Sequence, residues 1–507
     1  MKAIAMNTVF YPLLLQINTR VWLTARSKNL GRPATLDDIT HADLEQIAEN
    51  GFDWIWLLSV WQTGKESQRI SRTNLHWLRE FGETLPDLTE ADIIGSGFAI
   101  SSYSVHRDLG GNEALARLRG RAREHGLNLM LDFVPNHMGL DHSWLVEHPE
   151  FFIQGYPSDR TASPENYFEH RIGETCRIFA HGRDPYFAGW PDTVQLDYSN
   201  PQLHDAMIRE LVKVSDQCDG VRCDMAMLLL PDVFSNTWNK RVEPFWPAAI
   251  ESVRKIHPSF MFMAEVYWDR EWDLQQQGFD YTYDKRLYDR LSHGEPQDLR
   301  LHFLANLDFQ NRLVRFLENH DEQRAATVFP FDKHQSAAAM AYLSPGLKLM
   351  HQGQLEGCRV KISPLLVRGP DEPTSQCISD FYLRLLAILR ENVVRMGDWS
   401  LLECTQAWEG NPTHESVLAF AWTYTNEAPA IVVTNWSAHA SQCHISLSKL
   451  QSKIPGLEKG LWTLNDLFAG KEYEWHGEDL VAKGLFVDLV SWQTSVFRVE
   501  RSDLIAT

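Results

Sequence analysis

Three acidic residues follow short apolar segments and are the main candidates for chemistry. Asp224 ends GVRCD, Glu265 follows FMFMA, and Asp321 ends LENHD. If each segment is a parallel strand, the three carboxylates converge on the rim formed by the carboxyl ends of the strands. Burying three like charges without a function would be costly. Convergent carboxylates suit glycoside hydrolysis, which needs one ionised group at the anomeric carbon and one protonated group at the leaving oxygen.

Neighbouring residues predict different environments for these carboxylates. Arg222 stands two positions before Asp224, so both side chains point to the same face of a strand, where the guanidinium favours the ionised carboxylate. Glu265 lies between FMFMA and Val266, an apolar setting that raises the pKa of a carboxyl group and makes it an acid. His137 and His320 stand near strand ends, where each is either a donor to sugar hydroxyls or a structural histidine.

The elements that position these residues follow an alternating pattern. Eight apolar runs are continuous rather than alternating, as in parallel strands covered on both faces. Helix-like segments lie between them, at 40–51, 111–126, 247–258 and 335–345 among others. The pattern predicts an α/β fold, a (β/α)8 TIM barrel. The eight runs cover residues 13–20, 52–60, 127–137, 219–226, 260–268, 279–284, 312–321 and 347–353.

Two stretches depart from the barrel pattern. Residues 138–197 are rich in Gly, Pro, His and aromatic residues, which indicates an excursion after the third strand. Beyond about residue 395 the runs alternate, which predicts a C-terminal antiparallel β domain. The predicted domains are barrel domain A in two parts (1–137 and 198–395), the excursion as domain B (138–197), and the β domain (396–507). Aromatic residues of the excursion either stack on sugar rings or pack domain B onto the barrel; they are Trp144, Tyr186, Phe187 and Trp190.

Composition excludes several classes of partner. With 507 residues, of which 44% are hydrophobic, the chain can fill large cores. A formal charge of -19 without a basic cluster argues against nucleic acid and anionic membrane surfaces as partners. Seven scattered cysteines, no cleavage site after residues 1–20 and no apolar run long enough to cross a bilayer lead us to expect a cytoplasmic protein.

Four motifs together resemble a known family. DFVPNH at 132–137, GVRCD at 220–224, AEVYW at 264–268 and ENHD at 318–321 resemble the four ordered motifs of the α-amylase family, glycoside hydrolase family 13. VQLDYSN at 194–200 resembles the fifth motif, from domain B. The resemblance covers about residues 10–500. It implies a catalytic barrel with domain B inserted after the third strand and a β-sandwich domain C.

The resemblance also implies roles for individual residues. Asp224 matches the nucleophile that forms a covalent glycosyl-enzyme, Glu265 the general acid/base, and Asp321 the aspartate that holds the 2- and 3-hydroxyls of the sugar in subsite −1. The configuration at the anomeric carbon is then retained. Other residues match the remaining polar positions of subsite −1; they are Arg222, His137 and His320. Phe98 and Tyr103 are alternatives for one ring that stacks on the sugar there.

Departures from the family pattern concern the leaving side and a metal. Met227 and Leu228 replace a Lys-His pair that contacts the sugar on the leaving side, so an apolar wall is expected there. No cofactor is expected for the chemistry. Asn136 matches a ligand of a structural Ca²⁺ in many members, but some members lack that ion. Aspartates of domain B are further candidate ligands; they are Asp184, Asp192 and Asp197.

The leading functional prediction is a retaining enzyme that cleaves α-1,4-glucosidic bonds in malto-oligosaccharides or starch-like α-glucans. The first alternative is an α-glucan transglycosylase, in which another sugar intercepts the glycosyl-enzyme before water does. The second is a non-catalytic carbohydrate-binding protein that kept the fold. The intact carboxylate trio argues against the second alternative.

Overall fold

Eight parallel strands close into a barrel in the computed structural model, which describes residues 10–502. Each strand pairs with its chain neighbours, and the last pairs with the first through Leu13 and Lys348. The predicted TIM barrel is thereby confirmed. The predicted runs were longer than the strands because their polar ends belong to the loops that follow. We number the strands β1 Leu13–Asn18, β2 Trp54–Leu58, β3 Asn128–Phe133, β4 Gly220–Cys223, β5 Met261–Ala264, β6 Tyr281–Tyr283, β7 Leu313–Arg315 and β8 Leu347–His351.

Helices surround the barrel at the four predicted places and beyond them. The helix His41–Glu49 begins where Thr40 and Asp43 form a reciprocal capping box, which satisfies amide groups that the first turn leaves free. The α-helices of the barrel region are Thr19–Leu30, His41–Glu49, Lys65–Thr73, Leu75–Thr84, Gly111–Glu124, Pro201–Ser215, Pro231–Trp238, Trp246–Arg254, Glu271–Gln276, Lys285–His293, Pro296–Phe303, Leu307–Gln310, Ala325–Val328, Phe331–Tyr342, Gln376–Leu389 and Asn392–Arg395.

The excursion between β3 and β4 begins and ends on one antiparallel ladder. Strands His137–Gly139 and Thr193–Gln195 pair with each other, so the excursion leaves and returns at the barrel rim. A three-stranded sheet lies between them, formed by Gln154–Gly155, Thr175–Ala180 and Tyr167–Ile172. The short helices Trp144–Glu147 and Pro157–Ala162 complete this region.

A second excursion follows β2 and was not predicted. Strand Trp61–Thr63 pairs with Ile100–Val105, and the helices Lys65–Thr73 and Leu75–Thr84 lie between them. A small separate core supports this region, formed by Phe81, Leu85, Ile93 and Leu366. The helices of this second excursion have the same sequence pattern as barrel helices, so the sequence did not separate the excursion from the barrel.

The C-terminal region is an antiparallel β domain, as predicted. A six-stranded sheet has the order Asp398–Leu402, Val417–Thr423, Ala430–Asn435, Thr494–Arg501, Leu461–Asp466, Lys471–His476. A three-stranded sheet has the order Cys404–Gln406, Ser441–Ile445, Leu485–Leu489, and one helix, Gly477–Ala482, accompanies them. One face of the larger sheet shares the barrel's core, because Trp399, Phe420 and Trp422 belong to the same buried cluster as the barrel strands.

None of the helices within residues 10–502 has the length and apolar character needed to cross a membrane. The outermost parts of the predicted first and last domains, residues 1–9 and 503–507, lie outside the described residues. Residues 1–9 are also the first part of the segment 1–20, after which no cleavage site was expected, so the structure does not describe that part.

Candidate active site

Arg222 connects two of the three candidate carboxylates. It lies on β4 with its side chain fully buried, and Asp224 follows directly after the strand on the same face. Arg222 Nη1 lies 2.7 Å from Asp224 Oδ1, and Nη2 lies 2.8 Å from Glu265 Oε2. One guanidinium group thus holds carboxylates from the ends of neighbouring strands β4 and β5 side by side.

Aromatic rings surround this guanidinium group. Arg222 Cζ lies 5.3 Å from the ring centroids of both Trp56 and Phe98, and 6.0 Å from that of Tyr283. A third carboxylate, that of Asp132 at the end of β3, lies 3.6 Å from Nη1. The rings exclude water, so the ion pairs act in surroundings of low polarity, where electrostatic interactions are strong.

Glu265 is buried and both of its oxygens have protein partners. Oε2 accepts a hydrogen bond of 2.6 Å from the backbone N–H of Met225, and the Tyr267 hydroxyl lies 2.9 Å from Oε1. The pKa of Glu265 is raised to about 8, chiefly by burial; the charge of Arg222 opposes this rise, and the Asp224 and Asp321 carboxylates add to it. The predicted rise in its pKa follows from the burial that its apolar neighbours indicated.

Backbone strain accompanies this arrangement. Met225, directly after Asp224, has a φ of 43°, and Trp268 and Asp269, shortly after Glu265, have φ values of 62° and 61°. Non-glycine residues adopt this left-handed region at a cost, and such residues cluster at functional sites. At Met225 the conformation directs the backbone N–H toward Glu265.

Asp321 and His320 form the other side of the site. The Asp321 side chain is 45% exposed, whereas His320 is buried. His320 Nδ1 pairs with Gln16 Nε2 at 2.8 Å. Because an amide nitrogen is a donor, Nδ1 accepts and Nε2 carries the proton. Nε2 lies 3.1 Å from Asp321 Oδ2 without the geometry of a hydrogen bond, and it has no hydrogen-bond partner among residues 10–502. Burial lowers the pKa of His320 to about 4, and the ring is neutral.

The structure separates the two candidate stacking residues. Phe98 stacks on the His320 ring at 5.5 Å and faces Arg222, so it lies in the site with part of its surface exposed. Tyr103 is buried, and its hydroxyl donates to Val134 O at 2.9 Å while its ring packs on Trp61 and Phe133. Of the two alternatives for one stacking ring, the structure therefore places Phe98 beside Arg222 and His320 and Tyr103 in the core. Stacking of Phe98 on a sugar stays a prediction.

His137 lies at the junction of the barrel and the excursion. It is buried, its ring centroid is 5.1 Å from that of Trp190, and burial lowers its pKa while Asp224 acts in the opposite direction. The structure therefore brings His137 within electrostatic reach of the candidate nucleophile. Its role toward a sugar stays a prediction.

Met227 and Leu228 do not form the expected apolar wall. Both lie in the short helical turn Ala226–Leu229 and are buried in the main core. Neither side chain therefore offers exposed surface to a sugar on the leaving side. The family pattern gave the residue types at these two positions, but it could not give their burial.

The family model of the α-amylase catalytic domain matches residues 27–363, which is more than half of the chain. The chain belongs to the α-amylase family. The matched region contains the seven barrel strands β2 to β8, together with the three carboxylates.

Several relatives place the chain within the family. It is 22% identical over 302 residues to α-amylase 3 of Dictyoglomus thermophilum, covering 55% of this chain and 57% of that protein. It is 33% identical over 247 residues to an α-1,4-glucan:maltose-1-phosphate maltosyltransferase of Pseudomonas aeruginosa, covering 46% and 30%. The chain spans about half or less of the length of these curated relatives. The fold is that of a solved maltogenic α-amylase of Thermotoga neapolitana, with a TM-score of 0.67, 18% identity and coverage of 96% and 99%.

Asn136, which matches a calcium ligand of other family members, and the three candidate aspartates of the excursion all have protein partners in the structure. The side-chain amide and the backbone carbonyl of Asn136 bond to the amide of Gln195. Asp197 pairs with the Lys240 ammonium at 2.5 Å, so a cation already neutralises it. Asp192 accepts from Ser67, and Asp184 caps the turn at Tyr186. Among residues 10–502 no group of three or more His, Cys, Asp or Glu side chains is arranged to hold a metal.

The sequence did not identify several residues that contact the candidate catalytic groups. Gln16 is a polar residue in the apolar run LLLQIN, which is a usable signal, since a buried strand position seldom carries an amide without a partner. Tyr267 stands two positions after Glu265, but its contact depends on an irregular loop. Trp56 and Tyr283 gave no signal beyond their membership of β2 and β6.

Proposed function

We propose that this protein is a retaining enzyme that cleaves α-1,4-glucosidic bonds in malto-oligosaccharides or starch-like α-glucans through a covalent glycosyl-enzyme. The observation that carries the proposal is the Arg222 guanidinium group between Asp224 and Glu265, at 2.7 and 2.8 Å. It holds a candidate nucleophile beside a buried carboxyl group whose pKa is raised to about 8. A protonated and an ionised carboxyl group in one site are what retaining hydrolysis needs.

The first step transfers a proton and forms an ester. An Asp224 carboxylate oxygen attacks the anomeric carbon while Glu265 donates its proton to the leaving oxygen, and the glycosidic bond breaks. In the second step Glu265, now ionised, takes a proton from water, whose oxygen displaces Asp224 from the anomeric carbon. The half-exposed Asp321 carboxylate and the His320 Nε2–H group, which has no hydrogen-bond partner among residues 10–502, are placed to bind sugar hydroxyls.

The leaving side favours transglycosylation as a second candidate function. Tyr186 is 69% and Phe187 73% exposed, and the Tyr186 ring lies 5.0 Å from that of Trp268. Trp268 follows the acid/base by three residues, and the acid/base faces the leaving group. Exposed rings there offer stacking surfaces for an acceptor sugar. The similarity to a maltosyltransferase is in agreement with this second candidate.

Product analysis separates the candidates. Incubation with maltotriose, followed by chromatography and assignment of the first anomer formed, should give shorter products of α configuration if hydrolysis dominates. Products longer than maltotriose would establish transfer instead. A first product of β configuration would contradict the proposed retaining mechanism, and no turnover of any α-glucan would support the non-catalytic alternative.

The variant Glu265→Gln tests the assignment of the acid/base. We expect kcat on maltotriose to fall roughly 10²- to 10⁴-fold, the usual contribution of general acid–base catalysis. Glu271→Gln is the matched control, because Glu271 is also buried with a raised pKa but its neighbours are Asp284 and other groups outside the pair with Arg222. Equal activity of Glu265→Gln and the unmodified enzyme would overturn the assignment.

The cytoplasmic location expected from the sequence is part of the same proposal. All seven cysteines are free thiols, which supports a reducing compartment. Fractionation of the native host with a cytoplasmic marker tests it.

A further inference from the structure

We propose that Tyr267 is a positioning residue for the acid/base, and that it fixes Oε1 of Glu265 as the oxygen that gives and receives the catalytic proton. The inference rests on the proposed function. Tyr267 lies within the motif AEVYW at 264–268, but the resemblance to the family gives it no role. The inference follows from the partners of the two Glu265 oxygens.

Oε2 of Glu265 cannot carry the proton. It lies 2.8 Å from Arg222 Nη2 and 2.6 Å from the backbone nitrogen of Met225. Both partners are donors without any acceptor capacity, so a proton on Oε2 would face two N–H groups. When Glu265 is protonated, its proton is therefore on Oε1.

Oε1 has one partner, and that partner works in both directions. The Tyr267 hydroxyl lies 2.9 Å from Oε1 and makes no other hydrogen bond to residues 10–502. A phenolic hydroxyl both donates and accepts. It accepts from the acid form of Glu265 and donates to the carboxylate form, so Oε1 keeps a partner in both states. Burial and the neighbouring Glu265 carboxylate hold the pKa of Tyr267 well above its ordinary value, so the hydroxyl does not itself ionise.

The hydroxyl changes direction once in each half-reaction. When the proton moves from Oε1 to the leaving oxygen and the ester to Asp224 forms, the Tyr267 O–H group turns to donate to the new carboxylate. When water loses its proton to Oε1 and the ester breaks, the hydroxyl returns to accepting. Protons and bonds balance without any further reactant. Other charged or titratable groups also shift the pKa values of Glu265 and Tyr267, and a change confined to the Tyr267 hydroxyl leaves their contributions in place. These groups are Arg222, Asp224, Asp321 and Tyr283.

The variant Tyr267→Phe removes the hydroxyl and keeps the ring. Because a hydrogen bond to a carboxylate is about twice as strong as one to a neutral acid, its loss destabilises the ionised form of Glu265 more. We expect the alkaline limb of kcat/KM to move upward by roughly half to one pH unit. We also expect kcat on maltotriose to fall roughly tenfold, and less on an α-glycosyl fluoride, whose leaving group needs little protonation.

Tyr198→Phe is the matched control. It removes a buried hydroxyl that donates to Pro135 O at 2.7 Å, outside the catalytic pair. It should leave the alkaline limb and the ratio of the two substrates unchanged. Replacement of Tyr267 by 3,5-difluorotyrosine keeps the side chain's shape and strengthens the donor, so the limb should move downward. A limb that stays in place in both Tyr267 variants overturns the proposal, as does an equal loss on both substrates.

A titration separates this proposal from the proposed function. If the unmodified protein turns over no α-glucoside, the proposed function fails, but the pKa of Glu265 is still measurable by NMR of the ¹³C-labelled carboxyl group, assigned with Glu265→Gln. A higher pKa in Tyr267→Phe than in the unmodified protein supports the positioning role. An unchanged pKa overturns it.

Discussion

At the scale of residues, the site balances one buried cation against several carboxylates. Arg222 contacts Asp224 and Glu265, and Asp132 lies 3.6 Å from the same guanidinium group. Burial raises the pKa of Asp132 to about 7 and that of Glu265 to about 8. Since one guanidinium group cannot neutralise three carboxylates, the environment favours a proton on one of them. The protonated Glu265 that the proposed chemistry needs is thus a consequence of local charge and burial.

This charge balance predicts the alkaline limit of activity. In the proposed mechanism the acid form of Glu265 is the active one, and the raised pKa keeps this carboxyl group protonated up to about pH 8, so kcat/KM should decline above that pH. Rates on maltotriose between pH 6 and 10, with circular dichroism at each pH to exclude unfolding, measure the limb. A decline near pH 5, close to the titration of an unperturbed glutamate, would contradict the assignment.

At the scale of elements, a buried ion pair joins three of them. Asp284, directly after β6, contacts the Arg315 guanidinium group of β7 and lies 3.0 Å from His302 Nε2 in the helix Pro296–Phe303. Arg315 Nε also donates to Pro345 O at 2.7 Å, just before β8. Burial opposes the ionisation of Asp284, but the interactions with His302 and with the Arg315 guanidinium group outweigh it and lower the pKa of Asp284 to about 2.

The variant Asp284→Asn should destabilise the protein. Removing one partner leaves the buried Arg315 charge uncompensated, which costs about 3–5 kcal/mol in free energy of unfolding. Because the folded pKa of Asp284 is lowered, this stabilisation is present above its unfolded pKa of about 3.9 and is lost as the pH falls through about 2. Urea unfolding at pH 7 measures the change. Asp205→Asn, at an exposed helix position, is the control and should differ by less than about 0.5 kcal/mol. Equal stabilities of the two variants would disprove the role of the pair.

At the scale of the whole molecule, the barrel and the C-terminal domain share one core. Trp422, in the strand Val417–Thr423, is fully buried, and its indole N–H donates to Leu343 O at 2.7 Å, next to the helix that precedes β8. Its ring also lies 5.0 Å from that of Tyr11, next to β1. The C-terminal sheet therefore covers apolar barrel surface that would otherwise face water.

This shared core predicts cooperative unfolding. Trp422→Ala should lower the free energy of unfolding by about 3–5 kcal/mol, the usual cost of removing a large buried aromatic side chain. Barrel and β domain should still lose structure in one transition, followed by tryptophan fluorescence and by far-ultraviolet circular dichroism. Trp408→Ala removes a ring that is 56% exposed and should have little effect. Two separate transitions in the unmodified protein would contradict the shared core.

The sequence by itself determined the barrel, the β domain and the three candidate catalytic carboxylates. Continuous apolar runs identify parallel strands because both faces of such strands are covered. Their carboxyl ends meet at one rim, so Asp224, Glu265 and Asp321 had to converge. The pairing of Arg222 with Asp224 follows from the two-residue period of a strand. All of these are local patterns combined with one topological rule.

Tertiary structure decided which neighbouring residues take part. Phe98 lies in the site while Tyr103 is in the core, Leu228 is buried rather than lining the cleft, and Gln16 pairs with His320, which is 304 residues away. Such outcomes depend on how distant segments pack and on loops such as that after β5, where side-chain direction no longer follows a period. Local patterns specify the elements and their ends, but the burial of a side chain and its hydrogen-bond partners are set by segments far apart in the chain.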